Sequence, residues 1–119
     1  MGNNETVSIG NNQSLKVGGS QTETITQNKA ETVAIAKALT IGAGYQLSVG
    51  GAKNETVGAT STEQVGILRK TIVGQRYEVI CGSSSFIMNA DGTIELKGIE
   101  ISINGATVVD IDGKIVNVN

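Results

Sequence analysis

The chain has 119 residues, 9 basic and 11 acidic, for a net charge of −2, so it is of single-domain size and lacks the basic surplus of a nucleic-acid binder. Hydrophobic residues make up 39%, yet only Tyr45, Tyr77 and Phe86 are aromatic and there is no Trp, which leaves little material for a thick globular core. With no His, no Pro and one Cys, the sequence excludes a histidine metal site, a His-dependent triad and a within-chain disulfide. No apolar run approaches the roughly 20 residues of a spanning helix, and no charged-then-apolar leader opens the sequence.

Residues 1–6 read as a tail or, from Met1-Gly2, an expression scar. Residues 7–82 form an octad repeat. Ile9, Val17, Ile25, Val33, Ile41, Val49, Val57, Val65 and Val73 fall on one register of eight, and Cys81 takes the next slot. The residue after each is Gly, except at Thr26 and Ala34. A period of eight fits neither an α-helix nor a coiled coil, but it fits one short strand plus one corner. In units such as Leu15-Lys16-Val17-Gly18 and Leu47-Ser48-Val49-Gly50, the two apolar residues share a face and the residue between points out. The glycine is expected to supply positive φ or close backbone approach. Two buried side chains per eight ordered residues cannot offset the conformational entropy lost, so the missing partner is further copies of the chain. A single-chain β-helix would show a period of about 18 or more. The octad therefore predicts an all-β fold, an intertwined triple-stranded parallel-type β-helix (a β-prism needle) built as a homotrimer. The ten octad residues, Ile9 through Cys81, are its core on the axis.

Glu23, Glu31, Glu55 and Glu63 stand where the upstream apolar residue belongs. Either alternation breaks there and they reach water, or they form a hydrated or ion-paired layer inside the prism. Lys29 and Lys53, two residues before Glu31 and Glu55, are the partners the spacing offers. Cys81, in a core slot, reads as a small buried hydrophobe. After Gly82 the pattern changes: Ser83-Ser84-Ser85 replaces the corner and Phe86-Ile87-Met88 is continuously apolar. A register shift between two β-helical sections is the simpler account; an outward apolar patch for a partner or membrane passage is the other. Residues 83–119 are thus a distal β-helix section and tip. Asp110-Ile111-Asp112-Gly113 lacks the ligand spacing of a calcium loop and reads as a turn. The last residues, Ile115, Val116, Asn117, Val118 and Asn119, stay β-like with nothing to close their edges, and are expected to form a platform for a cap protein.

The Val-x-Val-Gly octads, followed by Gly92-Thr93-Ile94-Glu95-Leu96-Lys97-Gly98, resemble the needle of VgrG proteins and related phage tail-spike needles. The octad match covers residues 7–82, and 91–106 are similar to the segment that follows it in VgrG chains. The resemblance implies a mechanical spike of a type VI secretion system, assembled in the bacterial cytoplasm and secreted without a signal peptide. It implies as partners two further copies of the chain, a PAAR-repeat cap protein at the distal end, and effectors, with transient membrane passage. Some such needles bind iron through tip histidines; this chain has none, and no cofactor is expected.

Three function classes follow. A non-enzymatic spike and carrier fits an enzyme-empty repetitive rod. A trimeric phage tail-spike or adhesin fibre that binds a receptor would use the same fold, with Tyr45 and Tyr77 as the available aromatics. An enzyme on a single-chain β-helix would want acidic and basic residues clustered along one groove.

Overall fold

The computed structural model describes residues 2–119; Met1, in the segment read as a tail or scar, lies outside the described residues. Among the described residues there is no helix, and the regular structure is three strands, β1 (Arg76–Cys81), β2 (Ser84–Asn89) and β3 (Ile94–Lys97). The chain divides into two compact units, Met1–Asn54 and Glu55–Asn119.

In the first unit the backbone runs straight for about six residues and then bends, at 10–11, 18–19, 26–27, 34–35, 42–43 and 50–51. The second unit opens in the same way, with bends at 58–59, 66–67 and 74–75. Every bend falls on the slot after the octad Val or Ile and the slot following it, including at Thr26 and Ala34, where no glycine stands. None of residues 2–75 lies in a strand paired within the chain. Their N–H and C=O groups must therefore be met by water or by another chain.

The octad glycines correct one expectation. Among the described residues positive φ occurs only at Gly82 and Gly92, and no other residue type adopts it. At Gly10, Gly18, Gly42, Gly50, Gly58, Gly66 and Gly74 an added Cβ would meet nothing within 4 Å. Neither left-handed backbone nor close approach within the chain calls for glycine there. Thr26 makes the same point, because a β-branched residue would not sit where φ is positive.

Where the sequence shows a tenth corner at Gly82, the structure turns the chain back on itself. β1 pairs antiparallel with β2, Cys81 opposite Ser84, Val79 opposite Phe86 and Tyr77 opposite Met88. Gly82-Ser83 is a two-residue connection with positive φ (54°) at its first position only, the φ pattern of the type II′ turn that suits a twisted hairpin. β2 pairs antiparallel with β3, Phe86 opposite Leu96 and Met88 opposite Ile94. This second hairpin closes through a turn in which Gly92 N–H donates to the Asn89 carbonyl (3.1 Å) and Asn89 N–H donates to the Thr93 carbonyl (3.1 Å). Gly92 (φ 92°) takes the left-handed position. Asp91 Oδ1 accepts from Thr93 N–H (2.9 Å) and from the Thr93 hydroxyl (2.7 Å), and these bonds hold its carboxyl below the usual carboxylate range. The break after Gly82 is thus a three-stranded antiparallel meander. Among the described residues this sheet also holds the one buried hydrophobic side chain, Ile87 at 8% exposure, in the central strand between Glu78 and Glu95.

Beyond β3 the bends return at 99–100, 106–107 and 114. At Gly105 an added Cβ would collide with the Val108 carbonyl, so this glycine is required by close approach within the chain.

Candidate trimer interface

The octad core residues share one environment. Ile9, Val17, Ile25, Val33, Ile41, Val49, Val57, Val65 and Val73 are each 44–49% exposed within one chain. So narrow a range across nine positions means each octad repeats one local geometry, with a half-covered apolar side chain before every corner. Cys81 is a free, exposed thiol within the chain, at the end of β1. The upstream apolar residues Val7, Leu15, Leu39 and Leu47 are exposed further. A side chain left in this state contributes little of the roughly 1.5–3 kcal/mol available on full burial.

The glutamates pair across the corners. In the first unit, Lys29 Nζ lies 2.5 Å from Glu23 Oε1 and Lys37 Nζ lies 2.6 Å from Glu31 Oε1. In the second, Arg69 Nη1 lies 3.1 Å from Glu63 Oε2. Every pair spans six residues with a bend between them, so a corner brings the residue three before it next to the residue two past it. Lys29 therefore pairs with Glu23 behind it, not with Glu31 ahead, as its spacing had offered. The hydrogen bond that Lys29 donates to Glu23 raises the Lys29 pKa, and the one that Glu31 accepts from Lys37 lowers the Glu31 pKa. Lys53 and Glu55 are also engaged. The carboxylates are about half exposed, so these are solvated pairs, each a small contribution to stability.

A second regularity escapes a reading by octads. Residues 23–50 and 55–82 correspond at a spacing of 32: Glu31 with Glu63, Ile35 with Ile67, Lys37 with Arg69, Tyr45 with Tyr77. Comparing the chain with itself at four-octad offset would have found it. It explains why two ion pairs, Glu31–Lys37 and Glu63–Arg69, are built alike, and why Ile35 and Ile67 are both almost fully exposed at the corner.

The sheet has two unlike faces. Alternation puts Tyr77, Val79, Cys81, Phe86, Met88, Ile94 and Leu96 on one side. The other carries Arg76, Glu78, Glu95 and Lys97 together with Ile80 and the buried Ile87, with Arg76 bound to Glu78 and Lys97 Nζ 3.6 Å from Glu95 Oε2. Two hollows lie on the apolar side. One, of about 440 Å³, joins Thr71 and Val73 of the last octad before the sheet to Tyr77 and Met88. The other, of about 190 Å³, is lined by Val79, Cys81, Phe86 and Leu96.

The terminal residues Ile115, Val116, Asn117, Val118 and Asn119 are exposed and lie in no strand within the chain. Among the described residues, no group of His, Cys, Asp and Glu is arranged to hold a metal, the Asp110–Asp112 segment included.

Half-covered valines at every corner, a backbone without its own ladder and a sheet with one bare apolar face describe a chain whose packing is completed by copies. The family model for the bacteriophage T4 gp5 C-terminal trimerisation domain matches residues 1–96, from the first residue into β3. The chain belongs to that family. Self-association into trimers and a structural role of the phage-needle type come with it. The matched stretch contains all ten octad residues, Ile9 through Cys81. Among curated proteins, none matches the chain.

Proposed function

We propose that this trimerising chain is the mechanical spike of a type VI secretion system, driven through a target cell envelope with a PAAR-repeat cap and effectors at its distal end. The observation that carries the reading is the corner-by-corner uniformity of the octad residues in a chain of the gp5 trimerisation family. A stack of identical layers made from three wound chains is stiff and slow to unfold, because strands of different chains must come apart together. Its work is mechanical rather than catalytic. In this reading the spike assembles in the cytoplasm. Residues 114–119 carry the cap: exposed, apolar-polar alternating and unpaired within the chain, they offer strand edges for a partner to complete. Deleting residues 114–119 is expected to leave the trimer intact and abolish co-purification of a PAAR-repeat protein. Undiminished capture by the truncated trimer would contradict the placement.

The family's phage namesake favours a second reading, a tail-spike or adhesin fibre segment that binds a surface receptor. The two separate on release. A secretion spike reaches the medium only when the contractile apparatus is intact, whereas a tail-spike segment sediments with phage particles.

A further inference from the structure

We propose that the apolar face of the β1–β2–β3 sheet packs against the same face of two further copies, making the sheet a clasp that closes the trimer beyond the octads. The proposal rests on the trimer reading and adds the element that seals it. Tyr77, Val79, Phe86, Met88, Ile94 and Leu96 place no charge on this face, while the opposite face carries two ion pairs around Ile87, which is already buried within the chain. Val79 and Phe86 face each other at its middle, and both remain exposed by more than a third.

Three observations select copies of the same chain as the occupant. The hollow lined by Val73, Tyr77 and Met88 makes the sheet face continuous with the last octad before it, so whatever covers Val73 covers the sheet edge too. The match to the trimerisation family continues through β1 and β2 and stops within β3. Threefold symmetry presents this face three times around one axis, where apolar faces can close on one another without a fourth component. The contact is also chemically unlike the octads. Aromatic and thioether side chains bury more area than Val or Ile, and the sheet enters the contact with its own ladder already formed.

Cys81 reports the packing without any substitution. In trimer of the unaltered chain, identified by its sedimentation mass, Cys81 is expected to react with a chromogenic aromatic disulfide at least about tenfold more slowly than in urea. Phe86→Asp is expected to lose trimer, and Ile80→Asp, on the charged face, to keep it. A trimer whose Cys81 reacts as fast as in urea overturns the inward face. So does protected Cys81 with full assembly of Phe86→Asp, since the face would then be covered without joining copies. Absence of trimer in the unaltered chain overturns the trimer reading itself, which keeps the two failures apart.

Discussion

The octad stretch and the β1–β2–β3 sheet use the same residue types to opposite ends. In residues 7–75 the octad Val and Ile side chains are half covered, other apolar residues are exposed further, and the backbone finds no strand partner in its own chain. In residues 76–97 the chain satisfies its own ladder and buries Ile87, but leaves a whole apolar face bare. Chain reversal makes the difference. The corners of the octad stretch leave the chain without a strand partner of its own, so its backbone groups turn to water or to other chains. A two-residue turn with left-handed glycine brings it back. Gly74 and Gly82 occupy the same slot of the octad and do these two different things.

The contrast can be broken most severely at an octad valine. Val49→Asp places three carboxylates close to the axis without counterions, a cost of several kcal/mol per ion, and is expected to abolish trimer in sedimentation velocity. Ser48→Asp, one residue earlier and pointing outward, is expected to change stability by no more than about 0.5 kcal/mol. Equal assembly by both would show the inward register to be wrong.

A glycine of the repeat gives the next largest effect. Gly58 has negative or extended φ and open space around its Cβ position, so Gly58→Val introduces no strain within the chain. A loss of about 1–3 kcal/mol in trimer stability by urea titration is expected if a second chain approaches there. No loss would leave the octad glycines without a packing role. In the sheet the mechanism differs: Gly82→Ala pays for left-handed backbone at about 1–2 kcal/mol and should loosen the β1–β2 hairpin, seen as faster amide exchange across Val79–Phe86.

The smallest effect is electrostatic. Asp91 is held below its ordinary pKa by Thr93, so its contribution is complete above the ordinary carboxylate range and is lost as pH falls through the lowered value. The β2–β3 turn should therefore loosen below about pH 4, and Asp91→Asn should remove that acid step in exchange measurements near Thr93. An acid step that survives the substitution would assign it to another group.

The positions of the corners were legible in the sequence, because Val or Ile followed by Gly at a period of eight marks them, and the chain bends at each one from 10–11 to 74–75. The reason for the glycines was not, since residue type alone cannot separate left-handed backbone from an approach by another chain. The meander was hidden because Gly82 shares its slot with seven glycines that do not reverse the chain. The signal that could have revealed it is Gly82-Ser83 between the alternating runs Tyr77–Cys81 and Ser84–Met88, followed by Asn89-Ala90-Asp91-Gly92 as a second turn. The ion pairs depend on corner geometry: Glu23 and Lys29 are six residues apart and meet only because the chain bends between them.

Sedimentation equilibrium on the folded chain tests the central claim most directly. The account predicts a single species at three times the 12.2 kDa chain mass, with no folded monomer on dilution. A folded, cooperatively melting species at 12.2 kDa would contradict it, because the half-covered octads would then be stable without the chains that are meant to cover them.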